Sequence, residues 1–417
     1  MRGFGGARDR EDCKIRSVLP IGFEDARRIV METVRSVRKQ AEAETVPLER
    51  AYGRVLAESV VADRDYPALR RSLRDGFAVR SSSVPGVLKI RGEVRAGEGE
   101  QPELRAGEAL EIMTGAPLPE GADAVVMVEH VERVEGGASV KIERRAEPGQ
   151  FINPRGAEAQ IGAELIPQGT RLDASHIATL AMAGRSVVAI TRCPSVPILA
   201  TGDEIVEIGE TPGAHQIRNS NSYMLAALVR ASGGQPVILP VARDTREALR
   251  PLLERGLEHD MLLVSGGVSA GKYDLVKPAL REFGVAFHFE RVRVQPGQPT
   301  AFGMLKEKPV FGLPGNPGST LITYQLFARA ALELLAGEAD PLLPLLSARF
   351  EAPFRHKPGL TRFLPARLSE DGERLRHIPW QGSSDVPALA KANAFLVADH
   401  DRESWETGDL IRVMLKP

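Results

Sequence analysis

Short apolar runs rich in branched residues occur at Val196 to Ala200, Val237 to Val241, Met261 to Val264 and Val310 to Leu313. Each predicts a buried strand. The first three are each followed by a stretch with helical periodicity or capping, which is the β-α-β signature of a parallel sheet covered on both faces. Nearer the start, apolar residues fall at Phe23, Ala26, Ile29, Val30, Val34 and Val37, one face of an amphipathic helix with charges opposite. A second helix is predicted over Asp173 to Ala183, with Asp173 as N-cap and Gly184 just past its end. The stretch Gly156 to Ile190 is expected to pair with the first helix. Between them the period shortens to β segments such as Val87 to Val94 and Ala124 to Val128, with a hairpin where Val131–Val134 and Ser139–Ile142 flank Gly136-Gly137. The last helix of the α/β stretch is expected to be capped by Asn316, started by Pro317 and ended by Gly337. After Pro341, β segments near Arg349 to Phe354, Arg362 to Leu368 and Leu410 to Leu415 predict an all-β end.

This pattern divides the chain into a disordered tail (1–15), a helical domain I (16–47 and 155–192), an inserted β-rich domain II (48–154), an α/β domain III (193–338) and a small β domain IV (339–417). The fold class is multidomain, α/β plus β. A chain of 417 residues exceeds what one core usually supports, so several domains are expected.

In open parallel sheets, ligands bind beyond the carboxyl ends of the strands. The loops predicted there are Thr201-Gly-Asp-Glu204, Arg243-Asp244, Ser265-Gly-Gly-Val-Ser-Ala-Gly-Lys-Tyr-Asp274 and Leu313-Pro-Gly-Asn-Pro-Gly-Ser-Thr320, and all four should share one edge. Gly266, Gly271 and Lys272 satisfy the G-x-x-x-x-G-K core of a P-loop nucleotide hydrolase. The pattern fails at Tyr273, where that motif needs a Ser or Thr hydroxyl for magnesium. What survives is a loop whose backbone N–H groups can converge on an anion.

Asp203, Glu204, Asp244 and Asp274 all fall on this edge, where unpaired carboxylates would repel one another and a phosphate. A hard cation resolves the conflict, and an oxygen-only donor set suits Mg2+ better than zinc. Asp244 with Glu247 reads equally as a helix-start capping arrangement. The eight histidines are scattered, with none at metal-ligand spacing, and are assigned no chemistry.

Charge is balanced, with 54 basic against 55 acidic residues, so the footprint of a nucleic-acid binder is absent and a small polar ligand is expected. Cys13 and Cys193 supply neither a disulfide framework nor a zinc site, which fits a cytoplasmic protein. No apolar run reaches membrane-spanning length, and no membrane partner is expected.

The ordered segments Ser72-Leu-Arg-Asp-Gly-Phe-Ala-Val79, Ile112-Met-Thr-Gly-Ala-Pro117, Thr201-Gly-Asp-Glu204, Ser265 to Asp274 and Leu313 to Pro317 resemble the motifs of the molybdopterin molybdenumtransferase (MoeA) family, bacterial relatives of the gephyrin E domain. The resemblance runs from about Ile21 to the C-terminus. It implies a three-layer α/β molybdopterin-binding domain, elongated helical and β-rich N-terminal domains and a small C-terminal β-barrel-like domain. It also implies a homodimer whose active site lies between the α/β domain of one subunit and the β-rich domain of the other. The implied reaction converts adenylylated molybdopterin and molybdate, with Mg2+, to molybdenum cofactor and AMP, and contacts with other molybdenum-cofactor enzymes are conceivable.

Carried over by position, Asp75 and Thr114 enter from the partner subunit, while Glu204, Asp244 and Asp274 are catalytic and hold the metal. Gly202, Asp203, Ser265, Gly266, Gly267, Ser269, Gly271, Lys272 and Arg291 are implied to bind substrate, together with Pro314, Gly315, Asn316, Pro317 and Ser319. The chain departs from the family at Arg74, where Met is common, at Gln160, and at Gln295 and Gln298 in place of two lysines; Arg291 and Arg293 are expected to compensate on the same strand. Rival readings are a catalytically weak pterin carrier or scaffold, the P-loop hydrolase, and an adenylyltransferase, which the extra β-rich domains disfavour.

Overall fold

The computed structural model describes residues 20–37, 42–97, 103–268 and 275–416. The expected tail over 1–15, with Cys13, lies outside them, as do Ser269, Gly271, Lys272, Tyr273 and Asp274.

Helix α1 (Phe23–Val37) forms where the apolar spacing predicts it and buries Phe23, Ala26, Val30 and Val34. Its partner differs from the expected one. Those residues join the core built from Val196, Ile198, Phe311, Phe327 and Leu332, and the Phe23 ring meets Phe363 edge-on at 5.4 Å. Helix α2 (Ala174–Met182) lies elsewhere, burying Leu180 among Ala51, Leu56, Leu172 and Ile190. What does unite the two stretches is an antiparallel pair, Ala43–Pro47 on Val187–Thr191. An amphipathic pattern states which face is buried but not against what.

The β-rich stretch forms a six-stranded sheet in the order Ala124–Met127, Gly76–Val79, Glu108–Ile112, Gly86–Val94, Ser139–Ile142, Val131–Val134. The predicted hairpin is present, with Val131 opposite Ile142 and Val134 opposite Ser139.

The α/β sheet runs Gln235–Ile238, Ser195–Ala200, Leu262–Ser265, Lys308–Leu313, Ala301–Leu305, Ala286–Phe289. The first four strands are parallel and overlap the four apolar runs, although the strand at Gln235–Ile238 ends three residues before the run Val237 to Val241 does; the last two are antiparallel. Helices α3 (Ser220–Ala231), α4 (Arg246–Leu257) and α5 (Val276–Glu282) follow the first three runs, as the β-α-β signature requires. The fourth is entered through a hairpin. The closing helical rod is not one α-helix but α6 (Pro317–Thr323), a π-helical segment Tyr324–Ala328 and α7 (Arg329–Leu335), almost wholly buried.

The C-terminal sheet orders Val294–Gln295, Thr361–Leu368, Arg374–His377, Leu345–Phe350, Leu410–Leu415, Ala394–Ala398, and the last pairs back onto Thr361–Leu368. That return closes the sheet into a barrel-like unit. It is not purely β, since α8 (Val386–Lys391) is included, and its first strand starts four residues before the predicted Arg349. No helix among the described residues is long and apolar enough to cross a membrane.

Candidate active site

The parallel strands deliver their following loops to one edge, where a cleft of about 630 Å3 opens. Strand Ser195–Ala200 leads into Thr201, Gly202 and Glu204; Leu262–Ser265 into Gly266 and Gly267; and Lys308–Leu313 into Pro314, Gly315, Asn316 and Pro317, all of which line it. Asp244, beyond Gln235–Ile238, completes the row with Ser265 and Ser319. Gly266 must be glycine. Its φ is +96°, and a Cβ there would sit 2.6 Å from the Thr201 carbonyl oxygen.

Asn221, in the first turn of α3, ties the loops together. Its Nδ2 donates to Gly315 O at 2.6 Å and to Ser265 Oγ at 2.9 Å. Thr320 Oγ1 donates to Pro314 O at 2.6 Å, fixing the same turn from the α6 side. Three buried polar atoms of the cleft wall have no hydrogen-bond partner among the described residues: Thr201 Oγ1, Asn219 Nδ2 and Asn221 Oδ1. Buried polar groups are ordinarily paired, so unmet donors and acceptors in a cleft wall suit a polar ligand.

Among the described residues, Glu204 and Asp244 share the cleft without an arginine ion pair. Asp244 is not the helix cap; Thr245 is, its Oγ1 accepting from Ala248 N at 3.2 Å. The Asp244 backbone N donates to Asp203 Oδ1 at 3.2 Å. Burial first, and then the negative charges of Asp203 and Glu204, raise the Asp244 pKa above the ordinary carboxylate range. Arg243 is at hand, but it donates to the Asp203 carbonyl oxygen at 2.6 Å. Among the described residues no three His, Cys, Asp or Glu side chains come together as a metal cage. Glu204 and Asp244 instead form a two-carboxylate, oxygen-only edge that suits magnesium, which keeps much of its water.

Three family models cover the chain in order: the MoeA N-terminal region (domains I and II) over 21–184, the probable molybdopterin binding domain over 197–334, and the MoeA C-terminal region (domain IV) over 347–416. The molybdopterin molybdenumtransferase of Bacillus subtilis (strain 168) is 33% identical over 401 residues, covering 93% of each chain. The chain belongs to the MoeA family. That of Nostoc sp. is 35% identical over 332 residues, covering 77% of this chain and 76% of the relative. The crystal structure of the molybdopterin biosynthesis MoeA protein from Pyrococcus horikoshii OT3 superposes with a TM-score of 0.80 at 28% identity, covering 95% of this chain and 100% of that one.

Of the residues expected from the MoeA motifs, the structure brings together Gly202, Glu204, Asp244, Ser265, Gly266, Gly267, Pro314, Gly315, Asn316, Pro317 and Ser319. Asp203 is exposed and not among the lining residues, but its side chain accepts from the Asp244 backbone N. Arg291 is not among the lining residues, and Arg291 and Arg293 lie in the irregular segment before Val294–Gln295 rather than on one strand. Asn316 occupies the N-cap position of α6, but its side chain does not cap; Nδ2 donates to Ser383 Oγ at 2.9 Å, tying the cleft to the C-terminal unit. Asp75 and Thr114 are outside the cleft and bonded to each other, Thr114 donating to Asp75 Oδ1 through N at 2.6 Å and Oγ1 at 2.8 Å. Those bonds, the backbone one first, lower the Asp75 pKa. Sequence reasoning placed Thr201 in a binding-edge loop without giving it a role, and missed Arg218, Asn219, Asn221 and Ser384. The signal available was Asn219-Ser-Asn221 opening a helix, with Asn219 Oδ1 capping Ser222 N at 3.2 Å.

Proposed function

We propose that this chain is a transferase that inserts molybdenum from molybdate into adenylylated molybdopterin, with Mg2+-dependent release of AMP. The observation that carries this reading is the pairing, in one cleft, of a glycine-built loop edge with two carboxylates, one of them held above its ordinary pKa. The names of the relatives support the chemistry, and the unmet polar atoms of Thr201, Asn219 and Asn221 support a polar heterocyclic phosphoester as occupant.

In this reading Gly266, Gly267 and Gly315 present backbone to the diphosphate, since no side chain stands between main chain and ligand. Glu204, Asp244 and Asp274 would hold magnesium, which when bound neutralises their charge and polarises a phosphoryl oxygen. Asp203 orients Asp244 through its backbone. In this proposal a molybdate oxygen bonds to the adenylyl phosphorus as the bond from that phosphorus to the pterin phosphate's oxygen breaks, and the freed pterin's dithiolate then takes the molybdenum, releasing AMP with the bridging oxygen. Asp75 and Thr114, already locked to each other, would close the cleft from a second copy of the chain, making the enzyme a homodimer.

The test is direct. Purified protein, adenylylated molybdopterin, molybdate and magnesium should yield AMP and molybdenum cofactor over many turnovers. Stoichiometric pterin binding without AMP would instead identify a carrier.

A further inference from the structure

A second cavity, of about 510 Å3, lies at the other ends of the helices that line the cleft. Helix α3 opens on the cleft with Ser220 and Asn221 and closes on this cavity with Leu228, Ala231 and the following Ser232. The rod that begins at Pro317 in the cleft reaches it with Gln325, Arg329 and Glu333. The π-helical segment Tyr324–Ala328 lies along this reach, and such segments recur at functional sites.

The arginines around it are fully engaged. Arg171 pairs with Glu338 through Nε and donates to Gly53 O at 2.8 Å and Ser232 O at 3.1 Å. Arg329 reaches Glu333 Oε1 at 2.6 Å, Gln325 Oε1 at 3.3 Å and Leu342 O at 3.3 Å. Arg27, just behind, donates to Leu326 O and Pro341 O. Glu333 is 5% exposed, and its second oxygen, Oε2, has no hydrogen-bond partner among the described residues. Its pKa is raised, chiefly by burial. The wall therefore holds one unmet carboxylate oxygen, Glu333 Oε2, although each of its three acids has an arginine partner, Asp340 meeting Arg35 at 2.7 Å, and it has an apolar side formed by Leu228, Ala231 and Leu342.

We propose that this cavity is a binding site for a small organic cation, an alkylamine or alkylguanidinium, whose N–H groups meet Glu333 Oε2 while its alkyl part lies on Leu228 and Leu342. A charged donor is favoured over a neutral one because charge-assisted hydrogen bonds are about twice as strong. The volume admits a drug-sized or smaller ligand. The site is separate from the cleft and does not depend on the reaction proposed for it.

The experiment is isothermal titration of the full chain with butylguanidinium and with butylamine hydrochloride, using pentanamide as the neutral comparison and sodium butyrate as the anionic one. Saturable binding of either cation, with neither comparison binding, is expected. Glu333→Gln keeps the volume and removes the charge, and should weaken binding roughly tenfold or more. Should that variant fold poorly, Ala231→Phe fills the cavity from the exposed end of α3 without touching the ion pairs, and should abolish binding. A crystal soaked with butylguanidinium should show its nitrogens on Glu333. No heat from either cation, affinity unchanged in both variants, or an ordered water alone at Oε2 in the soaked crystal would each overturn the proposal.

Discussion

Gly266→Ala tests whether the cleft is built by close backbone approach. Two penalties combine. At φ +96° an L side chain meets its own carbonyl, at about 1–2 kcal/mol. The new Cβ would also stand 2.6 Å from Thr201 O and 3.0 Å from Thr201 Oγ1. Neither backbone can retreat: Thr201 N donates to Ser265 O at 3.0 Å, Thr201 bridges to Ala242, and Gly266 N donates to Leu313 O at 3.0 Å. Overpacking of this kind adds about 1–3 kcal/mol. The combined destabilisation is about 2–5 kcal/mol. Gly284→Ala is the control, because φ is +90° but the nearest atom, Leu305 Cδ1, is 3.8 Å away, so only the backbone penalty of about 1–2 kcal/mol applies. Both tryptophans, Trp380 and Trp405, belong to the C-terminal stretch, so fluorescence does not report on this sheet. Native-state hydrogen exchange on the amides of Ser195–Ala200 and Leu262–Ser265 does. Equal loss of protection in the two variants would refute the steric argument.

Three further outcomes are expected. The raised Asp244 pKa means that folding opposes its ionisation, so the stability it permits is full below the ordinary carboxylate range and falls as pH rises towards the raised value; Asp244→Asn, or added magnesium, should flatten that fall in thermal melts taken across the acid range. Thr245→Ala should lower stability by about 1 kcal/mol through loss of the α4 cap, read from the denaturant midpoint, whereas Asp244→Ala should leave helix content unchanged. For a site shared between two copies, Asp75→Ala and Asp274→Ala should each abolish AMP release alone and recover part of it when mixed as heterodimers, since one of the two sites is then intact; a mixture as inactive as its components would show that each chain holds a complete site.

The sheet and its working edge were legible because four branched runs, each closed by Gly, Asp or Pro, can satisfy backbone hydrogen bonds and turn chemistry in few ways. The loop glycines followed, since a backbone at φ +96° admits little else. Contacts made only by tertiary closure were not legible. Asn221 reads as one polar residue in the first turn of a helix, yet its amide joins Ser265 and Gly315, 44 and 94 residues away. The capping signal at Asp244-Thr245-Arg246-Glu247 was real but shifted by one residue, and that shift releases Asp244 to face the cleft. The packing of α1 on the C-terminal sheet brings Phe23 and Phe363 together across 340 positions, which no local period encodes.

The charge on the cleft limits what it can accept unaided. Glu204 and Asp244 line it, and Arg218 is the one cationic side chain among the described lining residues, its Nε donating to Glu210 O at 3.0 Å. Two like unit charges 4 Å apart repel by about 4 kcal/mol at an effective dielectric of 20, so a diphosphate against these acids meets a barrier comparable to a thousandfold loss of affinity. Protonation of Asp244, which burial and the neighbouring acids favour, relieves part of it. Under the proposed reaction, the charge that remains would be neutralised by a cation that arrives with the ligand. Magnesium held by Glu204 and Asp244 would do this without occupying the glycine loops, whereas a second arginine would have to enter the space the ligand needs. Under the proposed function, the acidic edge is intelligible as the half of an anion site that the cation would complete.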